Sequence, residues 1–394
     1  MSNAFDKWTA APAPAEAPKK EIRKAEFRLI ESQENETQLQ IGIATEASPD
    51  HPQRNEDNYY VSEERGIDFV ADGVGGGLAG NLASAKAAQE LTLERLATRD
   101  IMTRLVMEAG REEPMVSKED VENALRQTME NMQEAVTKLQ TDPGIVVMAV
   151  KRAEAKYKRK FDPALASDRY IVLDIARSMS CTASLSKIWR DQEGKDFNTI
   201  AHIGDSRIYR LRQGRLERMT PDHSVFQTII DLRLLDKNGE AIVNDQDITR
   251  KITRKEIEKH ASKYPELAAV ADMMRSRNQD DLQLVKIADF VLQTIGSPTS
   301  NKKYYHADLK PFIRTDELED GDVELKCSDG LSDVLTDDEI QAVLIRHIDE
   351  PMKAAQELEQ LAAARSQTGH VRAKPDDITI IVRKFKKKKE EPVA

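Results

Sequence analysis

Four aspartates of this 394-residue chain fall where a short apolar run gives way to a turn. Asp72 follows IDFVA, Asp205 follows IAHIG, Asp329 follows VELKCS, and Asp376 stands just before ITIIV, while Glu56 and Asp57 precede a further strand-like run. An ionised carboxylate at the mouth of an apolar core is costly unless its charge is compensated. The motifs themselves supply no matching set of Arg or Lys. One such aspartate alone is ordinarily a turn cap. The whole set, flanked by Gly or Ser where the backbone must turn, calls for divalent cations. Ligation by oxygen without His or Cys selects hard ions, Mg²⁺ or Mn²⁺. Two such ions about 3.5 to 4 Å apart lower the pKa of a shared water and clamp an in-line displacement at phosphorus. Phosphate-ester hydrolysis is the chemistry this pattern implies.

The order of elements fits that expectation. Strand-like runs at 39–47, 58–63 and 66–72 give way, after the glycines at 75–77, to an Ala- and Leu-rich helical run. Ser117 with Asp120 caps a second helix whose apolar stripe runs through Val121, Leu125, Met129, Met132, Val136 and Leu139. Strands resume at 179–189, 197–205 and 206–220, with a hairpin turn at Gln213-Gly214, and a charged, mostly helical stretch occupies 223–296. A strand at 322–329, a capping box at Thr336 and Glu339, a helix opened by Pro351 and a last strand at 377–385 complete the chain. Hairpin-linked strands with helices between them predict an α+β fold, helices packed on antiparallel sheets. Residues 1–36, rich in Ala and Pro at their start, are expected to be a disordered extension, and 387–394 a charged tail.

Composition removes other classes. Fifty-nine basic against 69 acidic residues leave a net charge of -10 at pH 7, a poor match for nucleic-acid phosphates. No apolar run approaches the roughly 20 residues of a membrane span, and the first thirty residues lack a signal-peptide pattern, so a cytoplasmic protein is expected. Cys181 and Cys327 are expected to be reduced core thiols.

Eight segments, taken in order, resemble the metal-dependent protein Ser/Thr phosphatases of type 2C, in their bacterial form. They are RNED (54–57), FVADGVGG (69–76), CTAS (181–184), HIGDSRIY (202–209), MTPDHS (219–224), TIG (294–296), GDVELKCSDGLSD (321–333) and PDDITIIV (375–382). The resemblance spans about 37–386 and implies an α-β-β-α sandwich with a two-metal cleft at one edge. It implies that Asp72 bridges the core Mn²⁺ or Mg²⁺ ions, with Glu56 and the Gly73 carbonyl on one and Asp329 and Asp376 on the other. Asp57 would hold water, Asp205 and Asp333 would bind a third ion, and Thr182 would pack or hydrogen-bond behind the centre. The implied substrate is a phosphoserine or phosphothreonine protein, made by an opposing Ser/Thr kinase.

The resemblance is incomplete. The family's phosphate-gripping Arg, five residues before the Asp of RNED, is Pro52 here, leaving either Arg54 or His51 to reach the phosphate or the metals and water alone to bind it. Losing a charge-assisted phosphate contact weakens recognition by roughly 1.5 to 3 kcal/mol, so poor substrate binding is expected. A pseudo-phosphatase that holds a partner in the same cleft, or through 223–296 as an enlarged flap, is the alternative. The glycine run at 75–77 also invites a dinucleotide-binding reading, but the Asp ahead of it would repel pyrophosphate and the βαβ spacing is missing.

Overall fold

The computed structural model describes residues 26–31, 37–74, 78–92, 116–231, 251–261, 265–276, 278–283, 291–296 and 309–387. Strands β1 (Glu26–Glu31), β2 (Thr37–Glu46), β3 (Asn58–Ser62) and β4 (Ile67–Ala71) lead into helices α1 (Gly80–Thr92), α2 (Lys118–Leu139), α3 (Pro143–Tyr157) and α4 (Ala166–Arg177). Next come β5 (Ala183–Arg190), β6 (Asp196–Ile203), β7 (Arg207–Arg212) and β8 (Arg215–Arg218), then α5 (Val225–Asp231), β9 (Lys251–Thr253), α6 (Arg254–Ala261), α7 (Pro265–Ser276) and β10 (Asp281–Gln283). β11 (Phe312–Glu317), β12 (Val323–Cys327), α8 (Asp329–Ser332), α9 (Asp337–Arg346), α10 (Pro351–Ser366) and β13 (Ile378–Lys387) follow.

Local chemistry sets these boundaries. Ser117 with Asp120 and Thr336 with Glu339 form reciprocal capping boxes at the starts of α2 and α9, and Pro351 sits in the first turn of α10, where its missing N–H costs nothing. Gln213 and Gly214 both take positive φ, the backbone a two-residue hairpin loop requires between β7 and β8.

Two antiparallel sheets stack, one in the order β1-β2-β13-β12-β7-β8 and one in the order β11-β6-β5-β4-β3. The period-2 alternation of each strand assigns its faces. On β12, Val323, Leu325 and Cys327 join Ile378, Ile380 and Val382 of β13 under Leu344, Ala355 and Leu358 of α9 and α10. On β4, Ile67, Phe69 and Ala71 pack beneath the helices α1 to α4, with Met129, Met132, Ala149 and Val172. This is the expected antiparallel α+β architecture with helices on both outer faces.

The layer between the sheets is partly ionic. Asp68, Glu324, Lys326 and Arg383 all point inward and are buried. Lys326 pairs with Asp68 and lies 2.5 Å from Glu324, and Arg383 pairs with Asp68 and lies 2.9 Å from Glu324. Asn198 and Ser186 donate to the remaining Glu324 valences. Burial alone would raise the Glu324 carboxyl, but Arg383 and Lys326 hold it down at about 2. Ile41, Ile43, Val70, Ile381 and Phe385 fill the apolar part of the same layer.

One expectation needs correction. Glu26–Glu31, inside the stretch read as a disordered extension, is the edge strand β1, paired along its length with β2. Phe27 and Leu29 remain exposed, so the strand is held by backbone hydrogen bonds that leave little burial signature. The remainder of 1–36, residues 388–394 and the glycines at 75–77 lie outside the described residues. The apolar run after Asp142 is helix α3, with Asp142 as its cap and Pro143 in its first turn. Within 223–296, the described elements α5, α6, α7, β9 and β10 surround a core of their own that includes Val225, Ile229, Ile252, Ile257, Val270 and Met274.

Lys326→Met is expected to cost about 3 to 5 kcal/mol in urea unfolding, because it leaves Asp68 and Glu324 without their shared ammonium; the double change Asp68→Asn with Lys326→Met should recover part of that loss. A second test concerns Glu359 of α10, buried against Glu46. Burial first, then the hydrogen bond and charge of Glu46, push the Glu359 carboxyl up to about 8. The folded value lies above the unfolded one of about 4.3, so this group's stabilisation is complete below the unfolded value and is lost as pH rises through about 8. Glu359→Gln should flatten the decline of the urea midpoint between about pH 5 and about pH 9.

Candidate active site

Antiparallel pairing throughout both sheets makes strand ends and strand starts alternate along each edge. The ends of β4, β6 and β12 therefore share one rim of the sandwich with the starts of β3, β5, β7 and β13. Asp72 and Gly73 follow β4, Asp205 follows β6, Asp329 and Asp333 begin and follow α8 just beyond β12, and Asp376 and Asp57 precede β13 and β3.

Neutral hydrogen bonds fix this rim. Thr182 accepts the Asp72 backbone N–H at 2.9 Å, its own N–H reaches the Asp72 carbonyl at 2.8 Å, and its hydroxyl meets Ser206 at 2.7 Å. Ser328 donates to Asp57 Oδ2 at 2.7 Å and accepts the Thr379 N–H at 3.0 Å, tying the second sheet to the first. Asp377 accepts the backbone N–H groups of Ser48 and Glu56, each at 2.7 Å, and so clamps the 47–57 loop to the start of β13. Gly73 and Gly80 meet backbone to backbone; a methyl group added to Gly73 would lie 2.4 Å from the Gly80 carbonyl carbon. Buried His202 bridges Ser184 and the Gly204 carbonyl, and burial, helped by His223, lowers it to about 3, so it is a neutral structural group. Arg207 makes a bidentate pair with Asp222, which Arg218 also contacts.

Charge repulsion defines the centre. Asp72 is raised well above the carboxylate range by burial and then by Asp57, Asp329, Asp376 and Asp205. Asp205 is raised by burial, Asp329, Asp222 and Asp333, and Asp57 by burial, Asp377 and Asp376. Asp376 is pushed up to about 7, by burial first and then by Asp329. Asp329 goes the other way: burial would raise it, but the Lys374 ammonium holds it low. Lys374 Nζ lies 2.5 Å from Asp329 Oδ2, 3.2 Å from Asp333 Oδ2 and 3.2 Å from Asp376 Oδ2. A compensating cation is therefore present, supplied by Lys374 just outside the PDDITIIV motif. It sits in an irregular loop, where no periodicity announces it.

The rim thus gathers Asp57, Asp72, Asp205, Asp329, Asp333 and Asp376 around one cleft. Glu56 turns elsewhere. It is buried, its Oε1 lies 3.0 Å from the Arg54 guanidinium, and its charged neighbours are Arg54, His51, Asp377 and Arg152. His51 Nδ1 hydrogen-bonds the Arg54 carbonyl at 2.8 Å and lies 3.7 Å from Asp377 Oδ1. His51, Glu56 and Asp377 thus form a separate small group beside the main one. Sequence reading also passed over Ser328 and Asp377, whose part is to bind backbone and neighbours; the doubled Asp of PDDITIIV was the available signal for Asp377.

A family model described as protein phosphatase 2C matches residues 115–371. The chain belongs to this family and is a protein serine/threonine phosphatase. The Mycobacterium tuberculosis serine/threonine phosphatase PstP/Ppp is 20% identical with a TM-score of 0.50, over 88% of this chain and 99% of that one. The Staphylococcus aureus serine/threonine phosphatase is 18% identical with a TM-score of 0.51, over 88% and 94%. The S. agalactiae enzyme is 19% identical with a TM-score of 0.50, over 88% and 98%. At these identities the likeness is one of fold. Comparison with curated proteins gives no match.

Thr182→Val, which keeps the volume and removes the acceptor of the Asp72 N–H, is expected to cost about 1 to 3 kcal/mol of stability. It should also reduce turnover, while Thr182→Ser restores both; thermal melting alongside steady-state assays on an aryl phosphate checks the pair.

Proposed function

We propose that this chain hydrolyses phosphoserine or phosphothreonine esters of proteins with two Mn²⁺ or Mg²⁺ ions held by the rim carboxylates. One observation carries the reading: acidic groups from distant parts of the chain crowd into one half-buried cleft, and two of their oxygens, Asp57 Oδ1 and Asp329 Oδ1, are buried with no hydrogen-bond donor among the described residues. Orphaned carboxylate oxygens in an all-oxygen donor set fit hard dications. Asp72, the Gly73 carbonyl, Asp329 and Asp376 would hold the ions, with Asp72 shared between them, and Asp205 with Asp333 would offer a further acidic pair. When bound, the ions supply Lewis acidity and a nucleophilic water at neutral pH.

The chain's own residues do the rest. Asp57, fixed by Ser328, offers its second oxygen to a water. Thr182 holds the Asp72 backbone, and the Gly73–Gly80 contact fixes the carbonyl beside it. Glu56, a ligand in the sequence reading, has one oxygen on Arg54 and would ligate through the other or after release from it. Arg54 is half exposed and can exchange Glu56 for a substrate phosphate. The substrate is a phosphoprotein of the kind a Ser/Thr kinase produces. Residues 223–296 are assigned as an enlarged flap. No described helix is long and apolar enough to cross a membrane.

Asp72→Ala and Asp329→Ala are each expected to abolish Mn²⁺-dependent hydrolysis of an aryl phosphate and of a phosphoserine peptide. The metal-free fold should survive, since Asp72→Ala relieves repulsion and Asp329→Ala leaves Lys374 paired with Asp333 and Asp376. Retention of more than a few per cent of turnover at saturating Mn²⁺, with circular dichroism unchanged, defeats the assignment.

A further inference from the structure

Lys374 occupies an unusual position for a cation in a cleft of this kind. Its ammonium gathers three carboxylate oxygens from three places in the chain: the start of α8, the residue after α8 and the entry to β13. An ammonium is a compact point charge with three donors, and here each donor has a carboxylate within reach. The loop that carries it is anchored, since Arg372 donates to the Asp333 carbonyl at 3.2 Å and Pro375 stiffens the step to Asp376. The Lys374 side chain keeps 30% of its surface exposed, which leaves the ammonium a way out to water.

Two of those three oxygens belong to Asp329 and Asp376, the groups assigned to a dication. A dication seated between them would meet an ammonium at contact distance, and like charges at such range repel strongly. We propose that Lys374 is a tethered cation that competes with the divalent ion for Asp329, Asp333 and Asp376, so that loading this position requires expelling the ammonium. The inference rests on the metal-dependent reading above. It gives the chain a metal-free state in which the acidic rim is already partly neutralised, and it makes occupancy of the second position a matter of metal concentration, while among the described residues no ion pair holds a cation on the Asp72–Gly73 side.

The test is direct Mn²⁺ binding to the full chain, by calorimetry and by the electron paramagnetic resonance of free Mn²⁺, for the wild type, Lys374→Met, Lys374→Arg and Asp72→Ala. Lys374→Met keeps the length and removes the charge. It should bind its weaker ion on the order of tenfold more tightly, the scale on which one contacting charge acts, while Lys374→Arg should stay near the wild type. Metal-free Lys374→Met should melt below the wild type, and saturating Mn²⁺ should reverse that order; a purely structural lysine would lower both. Wild-type binding with no gain in Lys374→Met overturns the inference and leaves the metal reading standing. A raised KM with unchanged Mn²⁺ affinity overturns it too, by making Lys374 a substrate contact. Absence of Mn²⁺ binding in every variant defeats the metal reading and the inference together.

Discussion

Mutual repulsion among carboxylates is what the rest of this molecule is organised to withstand. Left to themselves, Asp57, Asp72, Asp205 and Asp376 would separate, and their raised protonation reports that tendency. The force that keeps them together comes from the strands behind them. Each is fixed to a strand whose apolar face is buried against helices, so moving a carboxylate would mean sliding a strand, and a one-residue slip turns every core side chain outward. Hydrogen bonds from Thr182, Ser328 and the backbone then set the fine positions. Strain is concentrated where the chemistry needs it and is balanced by packing some distance away.

The ionic layer between the sheets belongs to the same design. Asp68 lies in the strand that ends at Asp72, Glu324 and Lys326 in the strand that leads to Asp329, and Arg383 in the strand that begins after Asp376. Two anions and two cations interlock across the sandwich where hydrophobic contacts alone would permit several registers. Buried ion pairs contribute little net stability but penalise any arrangement that separates them. Here the arrangement they favour is the one that aligns the three strands bearing the central aspartates.

Much of this was legible in the sequence, for a physical reason. Strands of alternating character, capping boxes at Ser117 and Thr336 and the hairpin at Gln213-Gly214 are local signals, and the structure keeps all of them. The acidic set was legible because each member stands at a strand end, a position with few bland uses for a buried charge. What escaped was non-local. Lys374 lies 45 residues from Asp329 and 41 from Asp333, in a loop without period. The inward charges of β4, β12 and β13 show as alternation, but which anion meets which cation depends on sheet order. β1 escaped because its side chains remain largely outside the core.

The Asp377 clamp carries a consequence for biosynthesis. β13 is the last of the described strands, yet it lies inside its sheet, between β2 and β12, and the residue just before it holds the loop that presents Asp57. A ribosome delivers the early part of the chain first. Until the final strand emerges and inserts, β2 and β12 have no common neighbour, and the early loop has no carboxylate to close upon. The rim therefore cannot be completed piecemeal during translation: a chain stalled before β13 lacks both Asp376 and the Asp377 clamp on the 47–57 loop.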